Sequence, residues 1–512
     1  MEVVILKKGI LVFISLLSVI FIMVGCVAQP SSNSKDNEKN KGTDSSKSET
    51  VKKPKYVFMF IGDGMSHAQI NSAQILKGNN KEGEIVTKGL NFTQFPVVGS
   101  ATTYDSTSFC PDSASTATAY STGEKTHSGF IGLKVDKKTV APSITEQLKE
   151  DGMKIGIVTS VSIDHATPAA YYAHSESRNE YYNIATQLAK SNFDYFAGGE
   201  LKQPKGKEKD KEDAYKIIEN SGYKIVRTKE EIKSLNSDSG KVYAISPELQ
   251  DQGAMPYAID SKTGDLTLAD FVKKGTEVLD NDKGFFLMCE SGKIDWACHA
   301  NDAMSAMGDV LEFENAIGEA VEFAKKHPEE TLIVVTGDHE TGGMTIGYAT
   351  TGYNTAFNIL NNQKMSYVAF DKMISKMKKS NPKINFKDIM PIITENFGLI
   401  SPEDEKAKDD KNKELVLTEA EYKKLKDSFS ETMKKDEERS KTEESYVLYG
   451  DYEPLSVSLT HILNNKAGIG WTSYSHTGTP VPVYAYGVGS EKFNGSYDNT
   501  DIYKKLKELC KK

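Results

Sequence analysis

The chain has 512 residues, enough to bury a large core as roughly three ordinary domains or one large α/β domain. A formal net charge of -9 at pH 7 argues against a nucleic-acid partner, because such binders carry a basic face. Charged residues make up 26%, an ordinary globular share, and the acidity suits carboxylates that metal ions neutralise.

Residues 1–25 read as an export leader: Lys7 and Lys8 precede the uncharged apolar stretch Gly9 to Val24. Gly25 before Cys26 resembles a bacterial lipoprotein signal, although Met23 stands where leucine is usual. On that reading a lipid on Cys26 anchors the chain to the outer face of the cell membrane. An ordinary signal peptide with secretion, or a retained anchor, are the alternatives, and all three export the chain. Residues 26–53, rich in Ser, Asn, Lys and Asp, cannot bury enough apolar surface to fold and read as a disordered tether. Export permits disulfides, yet spacing cannot choose a pairing for Cys110, Cys289, Cys298 and Cys510, and small packed thiols are the expectation.

From Tyr56 to about Ile346 short apolar runs alternate with helical patterns. Tyr56 to Ile61 ends in Gly62-Asp63-Gly64. Lys154 to Ser160 precedes Asp164, His165 and Thr167. Gly284 to Met288 precedes Glu290, Asp295 and His299. Thr331 to Thr336 ends in Gly337-Asp338-His339. Helices are expected over residues 141–150 and 303–326, the latter with Met304, Met307, Val310, Leu311 and Ile317 on one stripe. Strand–helix alternation predicts an α/β three-layer sandwich: a large, mostly parallel central sheet flanked by helices. Residues 350–470 are irregular and lysine-rich, with a helical stretch from Glu419 to Met433. They read as an insertion or cap between two parts of a catalytic core at 54–349 and 471–512. Ser475-His476 then precedes a last apolar run, Val481 to Tyr486.

Open α/β sheets bind ligands at the carboxyl ends of their strands. The chain has only nine histidines, and His165, His299, His339 and His476 all sit beside such runs. A lone histidine is ordinarily structural. Four, each close to Asp, Glu or Thr, point to a metal centre of mixed nitrogen and oxygen donors. Pro111-Asp112-Ser113 followed by small residues reads as a helix start, which would place Ser113 among free backbone N–H groups suited to an anion. A capping or turn serine is the bland alternative. No Gly-x-Ser-x-Gly elbow is present, so a metal is the available activator for that weak nucleophile.

Taken together, Gly62-Asp63-Gly64, Asp112-Ser113-Ala114, His165 to Ala170 with Arg178, Glu290 to His299, Gly337-Asp338-His339 and His476 to Gly478 resemble the alkaline phosphatases, in the family's order, across about residues 54 to 490. The resemblance implies a metal-dependent alkaline phosphatase that hydrolyses phosphomonoesters through a phosphoserine on Ser113. It implies two Zn²⁺ and one Mg²⁺. Asp338, His339 and Asp63 would hold one zinc, and Asp295, His299 and His476 the other. Asp63, Thr167 and Glu290 would hold magnesium, and Arg178 would hold phosphate oxygens. A homodimer is implied as well. Some members carry aspartate at the place of His165 and lysine at the place of Trp296. The histidine either opens the third site to Zn²⁺ or makes only a structural hydrogen bond, and the loss of lysine should loosen phosphate. A phosphodiesterase or sulfatase is the rival enzyme, but Cys110-Pro-Asp-Ser does not fit a sulfatase maturation motif. A non-catalytic phosphate- or metal-binding lipoprotein is the rival of another class, and it would be expected to lack a nucleophile or a ligand.

Overall fold

A computed structural model of the protein describes residues 52–79, 83 and 85–511. The expected leader, Cys26 and nearly all of the tether lie outside the described residues. Among the described residues fourteen strands occur in chain order: β1 Tyr56–Gly62, β2 Val97–Thr102, β3 Lys154–Thr159, β4 Tyr195–Gly198, β5 Tyr223–Val226, β6 Lys241–Ile245, β7 Phe285–Ser291, β8 Thr331–Gly337, β9 Glu340–Thr341, β10 Thr345–Ile346, β11 Ile469–Gly470, β12 His476–Thr477, β13 Val481–Gly487 and β14 Gly495–Asp498. Ten of them form one sheet in the order β14-β2-β13-β8-β1-β7-β3-β4-β6-β5. Its ladders are parallel except those of β13, which runs antiparallel to both β8 and β2.

The central strands are largely apolar because both faces are covered, with polar residues gathered toward their ends. All seven residues of β1 are buried, and alternate side chains enter different cores. Phe58 and Phe60 face the helices Leu268–Leu279 and Ala303–Lys326. Val57, Met59 and Ile61 face the side that holds the helices Ser113–Thr122, Tyr181–Ser191 and Thr500–Cys510. Each such side chain contributes roughly 1.5–3 kcal/mol by leaving water. The helix expected over 303–326 runs over those residues, with Met307, Val310 and Ile317 buried and Met304 and Leu311 partly so. That expected from Ala141 begins at Ile144, because Ser143 and Glu146 form a reciprocal cap there. The chain between 350 and 470, irregular in its pattern, is mostly helical, and Phe370, Ile389 and Leu459 join the core shared with β1.

Register sets the level of the site. Ile61 pairs with Glu290, Gly62 with both Ser291 and Gly337, and Thr159 with Glu290. The carboxyl ends of β8, β1, β7 and β3 therefore lie side by side. After β1 the chain turns sharply, closed by Met65 N–H donating to Gly62 O at 3.1 Å, with Gly64 at φ 72° where a side chain would be strained. That turn packs directly on Gly337: a Cβ there would lie 1.9 Å from the Met65 carbonyl oxygen. Gly337→Ala should force the two strand ends apart, lower stability by about 1–3 kcal/mol in denaturant titration and displace Asp338 enough to reduce metal content.

Candidate metal centre and active site

The small residues after Pro111 form the helix Ser113–Thr122, and every residue of it is buried. Asp112 caps it by accepting from Ser115 N–H at 3.0 Å, and Tyr120 ties it to the sheet through a 2.7 Å bond to the Gly337 carbonyl. Ser113 is thus the first helical residue, at the positive end of the helix. Its Oγ lies 3.2 Å from His339 Nε2 and 3.4 Å from Asp63 Oδ1.

Three clusters of donor atoms, each within 4.8 Å, converge here: Asp63, Asp338 and His339; Asp295, His299 and His476; and Asp63, His165 and Glu290. Asp63 belongs to two of them. Asp63, Glu290 and Asp338 are fully buried and Asp295 is nearly so. Burying an ionised carboxylate costs several kcal/mol unless opposite charge compensates. Arg178 is engaged by Asp112, which accepts from its Nη1 at 2.9 Å. Burial and the neighbouring carboxylates push Asp63 well above the ordinary carboxylate range. Asp338 rises to about 7 from burial and the charge of Asp295, and Glu290 to about 7 from burial. The missing counter-charge is what divalent cations supply.

The imidazoles are aimed for the same purpose. His299 Nδ1 donates to the Tyr474 carbonyl at 2.6 Å and His476 Nδ1 to the Pro111 carbonyl at 2.6 Å. These bonds leave both Nε2 lone pairs free, yet the two Nε2 atoms face each other at 3.0 Å, with Asp295 Oδ1 3.3 and 3.6 Å away. Two lone pairs that close require a positive centre between them. Thr341 Oγ1 donates to Asp295 Oδ1 at 2.6 Å and so accepts from His339 Nδ1 at 3.2 Å. His339 Nε2 is then an acceptor, 3.3 Å from Asp63 and 3.4 Å from Asp338. Both sets fit Zn²⁺ by donor type.

The third set is different. Thr167 Oγ1 donates to Asp63 Oδ2 at 3.2 Å, Thr159 donates to Glu290 Oε2, and Glu290 Oε1 is buried with no partner among the described residues. His165 reaches this set, but its Nε2 lies 3.4 Å from Arg178 Nη2. Burial and Arg178 lower its pKa to about 3, so it is neutral. Accepting from Arg178 at Nε2 places the ring proton on Nδ1, a poor arrangement for ligation. Trp296 stands edge-on to His165, ring centres 5.8 Å apart. All twelve residues singled out by sequence therefore meet in one region. Several supporting groups carried no sequence signal: the Pro111 and Tyr474 carbonyls, Gly64 N–H on Asp338 at 3.1 Å, Thr116 Oγ1 on Asp338 at 3.1 Å, and Thr159. Thr341, two residues beyond His339, offered a faint one. Among the described residues Cys110, Cys289, Cys298 and Cys510 are free thiols. Cys110 is exposed and the others are buried, and among the described residues no helix is long and apolar enough to cross a membrane.

A serine at a helix N-terminus, among carboxylate–imidazole sets at the end of a parallel sheet, defines a metal-dependent hydrolase. A family model described as Alkaline phosphatase matches residues 54–511. Alkaline phosphatase 4 and alkaline phosphatase 3 of Bacillus subtilis are each 33% identical, covering 88% of this chain and 88% of theirs. The cold-active alkaline phosphatase of a psychrophilic Shewanella sp. superposes with a TM-score of 0.72 at 27% identity, over 89% of this chain and 100% of that one. A variant of the TAB5 enzyme, a histidine replaced by glutamate, with Mg bound in its M3 site, matches at 0.60 and 27%, over 90% and 99%. The chain belongs to the alkaline phosphatase family and is a metal-dependent phosphomonoesterase.

Removing metal should leave the carboxylates facing one another. Chelation is expected to lower Tm by about 5 °C or more, read by calorimetry. The metal-free protein should also lose stability as pH rises from about 4.5 to about 7. Asp338 and Glu290, raised in the folded state, bind protons there that the unfolded chain has released, so folding weakens as pH climbs to about 7.

Proposed function

We propose that the chain hydrolyses phosphomonoesters to an alcohol and inorganic phosphate through a covalent phosphoserine at Ser113. The observation that carries this reading is the place of Ser113 Oγ, at a helix N-terminus and within 3.4 Å of donors from the Asp63–Asp338–His339 set. Zn²⁺ at the Asp63–Asp338–His339 and Asp295–His299–His476 sets and Mg²⁺ at Asp63, Thr167 and Glu290 would neutralise the carboxylates and stabilise negative charge on the attacking and leaving oxygens. Zn²⁺ competes for the third set when His165 gives up its contact with Arg178.

The protein's own groups do the positioning. Arg178, with Nη1 donating to Asp112 and Nη2 beside His165, turns its remaining N–H groups to two phosphate oxygens, and the first N–H groups of the helix face the same anion. Ser113 Oγ loses its proton and forms a bond to phosphorus as the bond to the leaving alkoxide breaks on the opposite side. Water then attacks the same phosphorus, the P–Oγ bond breaks and the serine regains a proton. Phosphoryl transfer spreads charge over the equatorial oxygens, so orientation and electrostatics suffice. His299, His339 and His476 keep their Nε2 atoms aimed inward throughout, because backbone carbonyls and Thr341 hold the opposite ring edges.

Export, with a lipid on Cys26 holding the catalytic unit at the outer face of the cell membrane, belongs to this proposal, as does assembly as a homodimer. Both rest on the leader's sequence and the family resemblance. Cys26→Ala should release the protein into the medium. A cell-associated variant would remove the anchor from the reading.

Hydrolysis of a phosphomonoester should exceed that of a diester and a sulfate ester, and chelator should abolish it. A preference for the diester, or activity that survives metal removal, defeats the proposal. Ser113→Ala should lose about 10³-fold or more in kcat and form no phosphoenzyme in a quench experiment. Trp296→Lys should lower the inhibition constant for inorganic phosphate by placing a cation beside Arg178 and His165. A constant that stays the same or rises contradicts it.

A further inference from the structure

The helix Lys293–His299 carries Asp295 and His299 on its site-facing side, and its opposite side holds a group that the reaction does not use. The Lys293 side chain is fully buried. Its ammonium pairs with Asp251, lies 3.7 Å from the centre of the Tyr257 ring and 4.9 Å from that of Trp296. A buried lysine without its partners would be costly, so this one is committed to them.

The surroundings are built around that commitment. Ser160 Oγ accepts from the N–H groups of Gly292 and Lys293 at 3.0 and 3.3 Å, which fixes the start of the helix to the end of β3. Asp251 reaches the ammonium from a turn in which Gln252 holds φ 52° and Gly253 φ 74°, a conformation unfavourable for the glutamine. Trp296 lies three residues on from Lys293, on the same helical face. Its ring meets His165 edge-on at 5.8 Å, and His165 Nε2 accepts from Arg178 Nη2 at 3.4 Å. A continuous line of contacts thus runs from Asp251 through Lys293, Trp296 and His165 to Nη2 of Arg178. Asp112 holds Nη1.

We propose that Lys293 is a positioning residue for phosphate binding: its ammonium, pinned by Asp251 and covered by Tyr257, holds Trp296 against His165 and so fixes the orientation of Arg178. This rests on the phosphate role proposed for Arg178. Lys293 itself touches neither substrate nor metal ligand; its effect is on the geometry of the fork.

The test uses the metal-loaded enzyme and inorganic phosphate as the probe. Lys293→Met should raise both the KM for a phosphomonoester and the inhibition constant for phosphate about tenfold, with kcat changed less than about threefold and metal content kept. Lys293→Arg should restore most of the loss. The chain has two tryptophans, so a Trp471→Phe background leaves Trp296 as the reporter. Its emission should shift in Lys293→Met and return in Lys293→Arg. Asp251→Asn, which breaks the same pair from the far side, should raise the phosphate constant as well and serves if Lys293→Met does not fold. Arg178→Ala runs beside them: phosphate binding that it leaves unchanged overturns the role of Arg178 and the proposal with it. Binding weakened by Arg178→Ala but unchanged in the folded Lys293 and Asp251 variants overturns the Lys293 proposal alone. Loss of metal from Lys293→Met, with a normal phosphate constant once metal is restored, also overturns it, since the lysine would then serve Asp295 and His299.

Discussion

Asp63, Glu290, Asp295 and Asp338 repel one another at the carboxyl end of the sheet, where water cannot screen them. Much of the architecture answers that constraint. Carboxylates in such a place must be held from behind, or they would rotate apart. Parallel pairing of β8, β1, β7 and β3 in matched register fixes three of the four backbones at one level. The turn after β1 packs so tightly on Gly337 that neither strand end has room to withdraw. The helix that bears Ser113 is made of small residues apart from Tyr120, which lets the nucleophile's backbone approach this charged rim. The repulsion is a reservoir that cations discharge on binding, so metal affinity and fold stability are two expressions of one energy.

The imidazoles show how direction is added to charge. A carboxylate offers several lone pairs, but a neutral imidazole offers one, and its direction depends on what the other nitrogen does. Carbonyls of Pro111 and Tyr474 and the hydroxyl of Thr341 make that choice for His476, His299 and His339. Two of these supports are backbone atoms, so substitution of the side chains at 111 or 474 would not by itself remove them.

That division explains what could be read from the sequence. The strand runs were legible because a strand buried on both faces is apolar without interruption, and a charged residue at its end then stands out. Asp63, Glu290, Asp338 and His339 were found in that way. His476 could be joined to Asp295 and His299 only through the family's motif order, since 177 residues separate it from His299. Strands such as β4 and β5, four residues each, are too short to leave a period, and β2 and β14 are half exposed. The helical character of residues 357–467 was obscured by surface lysines and acids that dilute each apolar stripe. Nothing in the local pattern marks Lys293 as interior; the approach of Asp251, 42 residues away, shows it. Backbone supports leave no mark in side-chain identity at all.

The reversed strand β13 has a consequence for the order in which the protein acquires its parts. Because β13 runs against its neighbours, the chain enters it at the end of the sheet where β8 finishes, and His476, just ahead of it, arrives beside Asp295. Every other member of the Asp63–Asp338–His339 and Asp295–His299–His476 sets lies at or before residue 339, about 140 residues ahead of His476. The second set closes only when the C-terminal segment threads between β2 and β8. A chain cut short after the helical region would hold the donors of one three-ligand set but would lack the one that completes the second.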